Sequence, residues 1–279
     1  MDDRRQTARP DGPYEETGEV WDDPDLLYAA VLRALDQGRA REALPAAERL
    51  RDIDDDAQRA VLAHALVLRA CAEHARAENV LIRHIRARGG SADTWFALAP
   101  LASWRGSDRD VATALDNALR HDPDHPDALE WGYKYRLREE GPQAAAQWVA
   151  ERSERSWRAR IILGELELRG GDTQTALDLF ETACRSAPSE PGPLAAAARI
   201  LAAEGHDAIC AALVRRHWTG SRGPLPLIEA IEADLRLGRP GDAALALARL
   251  RGLEIPQELV AVVADVRRRV EAACAARGL

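Results

Sequence analysis

The stretch WRARIILGELELRGGDTQTALDLFETACRSAP, residues 157–188, decides the reading of the chain. Leu163-Gly164, Gly171-Asp172, Ala176, Phe180, Ala183 and Pro188 punctuate it as two helices joined by a tight turn. Gly164 is small enough to let the second helix pack close against the first. Gly171 ends the first helix, because glycine enters the left-handed cap conformation without a Cβ penalty. Ala176 again keeps the two backbones near each other, and Phe180 fills the gap towards the neighbouring hairpin. Pro188 stops the second helix, since it cannot continue the hydrogen-bond ladder.

Similar punctuation recurs on both sides. A first helix starts near Pro24, with Asp22 or Asp23 as its N-cap. Leu27, Ala30, Val31 and Ala34 form its apolar stripe and Gly38 ends it. Ala43, Ala47 and Leu50 line the next helix, which Pro45 bends slightly, and Asp54-Asp55-Asp56 caps the one after. The second unit places Val61, Ala65, Leu68, Ala77 and Leu81 inward and closes at Gly89-Gly90, but no glycine marks its inner turn. In the third unit Trp95, Leu98, Ala99, Gly106, Leu115, Ala118 and Pro123 fall at matching positions. Pro100 lies in the middle of its first helix and should bend it. The fourth unit, from Pro126, is short and irregular, with its turn at Gly141-Pro142. Two further units follow residue 190, and His217 to Pro224 forms a longer loop. Glu258 to Arg277 reads as a last amphipathic helix on Leu259, Val262, Val263, Val266, Val270 and Ala273, with Arg267-Arg268-Arg269 facing out.

This spacing resembles the tetratricopeptide repeat (TPR) family, whose unit is a 34-residue helical hairpin. The resemblance covers roughly Pro24 to Leu279, strongest in the units at 92 and 157 and weakest at 58 and 126. It implies an all-α, right-handed α-solenoid of about seven TPR-like hairpins with a C-terminal capping helix. Two regions are expected: an acidic, disordered tail at 1–23 and the repeat domain at 24–279. Within the tail, Glu19-Val20-Trp21-Asp22-Asp23 is either a docking segment or simply a place where Trp21 packs on the first helix.

Composition narrows the function. The net charge is −8 and the pI about 5.5, against the basic face that nucleic-acid binding needs. Lys134 is the sole lysine, a bias that fits a GC-rich, bacterial genome. Four scattered cysteines, Cys71, Cys184, Cys210 and Cys274, read as buried apolar groups in a reducing cytoplasm. No apolar run is long enough to span a membrane, and the N-terminus carries no signal core.

Chemistry-bearing constellations are missing. His64, His74 and His84 recur every ten residues, but a turn falls between them, so no face gathers them. His121 and His125 flank Pro123 in what reads as a surface loop. No phosphate loop or nucleophile elbow is present. No catalytic residue, metal ligand or cofactor is therefore expected. What remains is a surface.

The TPR resemblance places the groove on the first helix of each hairpin, and from it come Tyr28, Arg59, Leu62, Leu66, Arg69, Asp93, Phe96, Trp104, Lys134, Arg138, Arg169 and Arg199. In the fourth unit a one-residue shift exchanges Glu130 for Trp131 and Lys134 for Tyr135. The carboxylate clamp of chaperone-binding relatives is absent, since Asn79 and Asn117 fall on second helices. Aromatic and cationic groups concentrate at Phe96, Trp104, Trp131, Lys134 and Arg138, the types that anchor interfaces. The expected function is a non-catalytic scaffold holding a peptide or a partner's helix. The rivals are a peptide-responsive sensor and an accessory subunit of an enzyme complex, and self-association stays open.

Overall fold

The structure is a computed structural model and describes residues 18–278. Among these residues it contains helices and turns and no strand. A short α1 (Gly18–Asp22) precedes seven hairpins. They are α2 (Pro24–Asp36) with α3 (Ala40–Ile53), and α4 (Ala57–Ala70) with α5 (His74–Arg88). In the third, α6 (Ala92–Phe96) and α7 (Leu98–Trp104) together pair with α8 (Asp108–His121). The fourth joins α9 (Pro126–Glu139) to α10 (Pro142–Ser153), and the fifth α11 (Trp157–Arg169) to α12 (Thr173–Ser186). The last two are α13 (Gly192–Ala203) with α14 (Asp207–His217), and α15 (Leu225–Arg236) with α16 (Pro240–Leu250). Helix α17 (Val260–Ala275) closes the series. The first helix of each hairpin is here called A and the second B.

The chain falls into two compact units, divided between Gly132 and Tyr133 within α9. In the first, α2 packs on α4 and α4 on α6; in the second, α11 packs on α13 and α13 on α15. Within each unit these A helices thus lie against the A helix of the next hairpin, which is the packing rule of a helical array.

Turn chemistry sets the repeat. Gly38, Gly106, Gly171, Gly205 and Gly238 all have positive φ and end an A helix. The next residue's N–H then bonds back five residues: Arg39 to the Ala34 carbonyl at 2.8 Å, Asp172 to Glu167 at 3.0 Å, Arg239 to Asp234 at 2.8 Å. This closure satisfies carbonyls that the helix end would otherwise orphan. The second hairpin makes the same closure without glycine. Ala72 takes φ +63°, and Glu73 N–H reaches the Leu68 carbonyl at 2.8 Å. Ala72 stands midway between Gly38 and Gly106, in the register of a 34-residue repeat.

N-terminal caps complete the hairpins. Asp23 accepts from the N–H groups of Asp25 and Leu26 with Pro24 in the first turn, and Asp56 does the same for Gln58 and Arg59. Pro100 does more than bend its helix. It offers no N–H to the Phe96 carbonyl, and the helix divides into α6 and α7 at Ala97.

Close approach between helices rests on two glycines in the second unit. A Cβ on Gly164 would lie 2.5 Å from the Phe180 ring, and one on Gly192 would lie 2.6 Å from the Trp157 ring. Phe180 is fully buried above Gly164 and shares its core with residues of the next hairpin such as Leu194 and Ala197.

The first residues of the helical part differ from expectation. Residues 1–17 of the expected tail lie outside the described residues, but 18–22 form α1. Trp21 is buried with Leu27, Val31 and Ala47, and Asp22 pairs with Arg49 at 2.8 Å. Burying an indole, with the ion pair beside it, goes part of the way towards offsetting the entropy of ordering one helical turn and a half. Trp21 therefore packs on its own first hairpin and is not a free docking side chain. At the other end α17 buries Val263, Val266 and Val270 against α15 and α16. Val262, expected on that buried face, is 42% exposed. Arg269 turns back to pair with Glu232 at 2.5 Å, whereas Arg267 and Arg268 face solvent.

The loop after α14 hides a feature that the sequence reading missed. Arg222 is buried, and its Nη2 donates to the Cys184 carbonyl at 2.7 Å and the Ala187 carbonyl at 3.3 Å. A guanidinium thus caps the C-terminus of α12, where the helix dipole favours a cation.

Two stability outcomes are expected. Ala72→Gly relieves a left-handed alanine and raises the unfolding free energy by about 1 kcal/mol in chemical denaturation. Arg222→Met strips the α12 carbonyls of their donors and lowers it by about 2 kcal/mol.

Candidate functional site: the A-helix face

The A helices of the first unit present side chains that touch one another in series. The Arg59 guanidinium lies over the Tyr28 ring, 5.1 Å from its centroid. It also reaches back to Asp25 on α2 at 2.6 Å. Gln58 Nε2 donates to Asp93 Oδ2 on α6 at 3.3 Å, and Asp93 Oδ1 lies 3.3 Å from His125 Nε2. A polar ladder therefore links the starts of α2, α4, α6 and α9, using contacts 34 and 35 residues apart for its first two steps.

Arg59 is the centre of that ladder. Its Nε and Nη2 donate to the two oxygens of Asp54 at 2.8 and 3.0 Å. These bonds hold the Asp54 carboxyl below the usual aspartate range. Asp54, and after it Asp25, in turn keep the Arg59 guanidinium protonated more firmly than usual.

His125 corrects the surface reading. It is 5% exposed, its Nδ1 accepts from the Ala128 N–H at 3.2 Å, and its ring meets Phe96 at 4.9 Å. With Nδ1 accepting, Nε2 carries the proton offered to Asp93. A histidine three residues before a backbone N–H at a helix start acts as its cap, which the residue's loop position alone did not reveal.

The expected aromatic cluster divides. Phe96 packs edge-on against Trp131, with ring centroids 6.0 Å apart. Trp104 instead stacks on His74, the first residue of α5, with centroids 4.2 Å apart, and is 66% exposed. The break at Ala97 lies between Phe96 and Trp104, and they serve different neighbours. Elsewhere on the A helices of this unit Tyr28 is half-buried, Leu66 is 37% exposed, and Arg69 is exposed with no ion pair among the described residues.

In the second unit Lys134 and Arg138 are exposed on α9; Arg138 lies over the Tyr135 ring at 5.9 Å and pairs with Glu139. Arg169 is committed, at 2.7 Å from Glu165 and 2.9 Å from Glu204 on the next A helix. Arg199 is exposed; it acts on Glu229, whose carboxyl burial pushes up and Arg199 draws down. Pairs such as Arg169–Glu204 and Arg216–Glu181 join residues 35 apart, so the repeat period is written in charge as well as in apolar residues. That spacing was visible in the sequence and was missed.

Among the described residues no group of three His, Cys, Asp or Glu side chains could hold a metal ion. Burial pushes the Cys184 and Cys210 thiols up to about 11 and about 12, which makes them poor nucleophiles. Among the described residues no helix is long and apolar enough to cross a membrane.

Seven hairpins, glycine-type reversals at a 34-residue register and A-on-A packing define the class: the chain is a TPR-like helical-repeat protein. No family model matches it, and no curated protein matches it in sequence. Among solved structures it is similar to a tetratricopeptide repeat protein from Parabacteroides merdae ATCC 43184. The identity is 15% over 89% of this chain and 98% of that one, with a TM-score of 0.39. It is also similar to the TPR2AB domain of yeast Sti1, solved in a pHSP90 complex: 12% identity, 90% and 98% coverage, TM-score 0.36. In the structure of Naa15/Naa10 bound to HypK-THB the match is 14% identical over 90% of this chain, with a TM-score of 0.41. There the chain spans 39% of its relative's length.

The ladder has a pH signature. A depressed Asp54 contributes stability above its unfolded value near 3.9 and loses it as pH falls through the folded value. Arg59→Gln removes that contribution, and its acid-unfolding midpoint, followed by circular dichroism, is expected at higher pH than that of the wild type.

Proposed function

We propose that the chain is a non-catalytic protein-interaction scaffold that holds an extended peptide or a partner's helix on the A-helix face of its first unit. One observation carries this reading. Leu66 remains 37% exposed on α4, three residues before exposed Arg69, and the A helices packed on α4 carry the half-buried Tyr28 and Phe96. Apolar and aromatic groups left partly in water next to arginine are the composition of interface anchors. The ladder through Arg59 and Asp93 fixes the A helices beside one another, so the face is preorganised and a ligand need not order it.

The TPR2AB domain of Sti1 was solved in a pHSP90 complex and Naa15/Naa10 with HypK-THB; both are consistent with an adaptor role and neither names a partner for this chain. Trp131 belongs to the same face as an outlying contact, and Lys134, Arg138, Arg169 and Arg199 are proposed separately as contacts on the A helices of the second unit. Of these, Arg169 has the least to offer, because its guanidinium already serves two carboxylates. An accessory role in an enzyme complex is this scaffold with an enzyme as its client.

The test is capture of partners from the native host's lysate, followed by affinity measurement with the purified partner. A Leu66→Glu, Arg69→Glu variant changes two exposed side chains and should stay folded by circular dichroism. Binding at least about tenfold weaker than wild type is expected. A partner that binds the variant undiminished removes the A-helix face of the first unit as the site.

A further inference from the structure

On the B-helix side of the first unit, two adjoining cavities open between α3 and α5, with α4 as their floor. One has a volume of about 580 Å³ and the other about 300 Å³. Both are lined by Arg51 from α3 and Arg83 from α5. Neither arginine makes an ion pair among the described residues: Arg51 Nη1 lies 3.4 Å from His64 Nδ1, and Arg83 Nε donates to the Asn79 carbonyl at 3.3 Å. In a chain of net charge −8, two unneutralised guanidiniums facing shared cavities are a local reversal of sign.

The surroundings strengthen it. Arg88 adds a third guanidinium to the smaller cavity, which no acid lines. The larger one also holds Arg76, Glu48 and Asp52; Arg76 is neutralised by Glu48 at 3.1 Å and by Glu73. His64 lines this cavity at 3% exposure, and its Nε2 is buried without a hydrogen-bond partner. A buried imidazole left half-satisfied beside arginines without ion pairs leaves room for a further polar partner in this cavity.

We infer that Arg51 and Arg83 form an oxyanion site for a phosphate group, on the opposite helix set from the A-helix face. Guanidinium forks match phosphate geometry, and a dianion between two of them completes the charge balance. The cavity volumes fall within the range of small-ligand sites, so the phosphate can carry an organic substituent. Two histidines report on occupancy. Burial, then Arg51, Arg76 and Arg83, push His64 down to about 4, against a smaller opposite pull from Glu73. Burial, then Arg88 and Arg51, lower His84 as well. A bound dianion cancels the arginine contribution, so both imidazoles gain affinity for protons.

The experiment is an NMR titration of the His64 and His84 ring protons in the full chain, with phosphate against chloride at matched ionic strength. His64→Gln and His84→Gln variants assign the signals. Saturable upward shifts of both pKa values are expected with inorganic phosphate and with phenyl phosphate. Tighter binding of phenyl phosphate identifies an ester as the ligand, and equal binding identifies free phosphate. Arg51→Gln or Arg83→Gln, each on the surface, should weaken binding about tenfold. No saturable shift, or a shift that survives the double Arg51→Gln, Arg83→Gln change, overturns the site.

Discussion

The structure depends on a reversal made in a single left-handed residue. Each A helix must stop and hand its chain to an antiparallel B helix within about three residues, with no carbonyl left bare. One residue at positive φ and one hydrogen bond back across five residues achieve both. Because this closure occupies a fixed position, it sets the phase of the apolar stripes on either side, and those stripes decide what packs on what. Ala72 shows how strong the constraint is. The chain accepts a strained alanine there rather than a different turn.

Packing and charge then divide the work. Small residues bring helices together, most tightly where Gly164 receives the Phe180 ring and Gly192 the Trp157 ring. Arginines bridge from one hairpin to the next at its edges, as in Arg59–Asp25, Arg169–Glu204 and Arg269–Glu232. A single exposed pair contributes little, but here each pair links neighbouring repeats, where coupling energy decides whether an array folds as one body. Arginine suits the task because its fork engages a carboxylate while its stem covers apolar surface.

The architecture was legible because its signals are local. Gly38, Gly106, Gly171, Pro24 and the Asp56 cap act within a few residues of themselves, and period and capping rules read such signals directly. The candidate site was only half legible. Tyr28, Leu66, Phe96 and Trp104 lie on A helices as repeat position implied, yet Trp104 stacks on His74 of α5, a contact that the sequence did not announce. His125 and Arg222 looked like loop residues, and each caps a helix through contacts that only the folded chain creates. For Arg222 the partner is 38 residues away, and no local pattern encodes that distance.

The near-total use of arginine has a further result for the array's response to its surroundings. Guanidinium does not lose its proton in any condition a cell offers, so the bridges between hairpins have no alkaline limit. They can be undone only through their carboxylates, from the acid side. The two buried thiols, too, are held protonated well past neutrality. The arginine bridges between hairpins within each unit therefore answer to acidification and not to base.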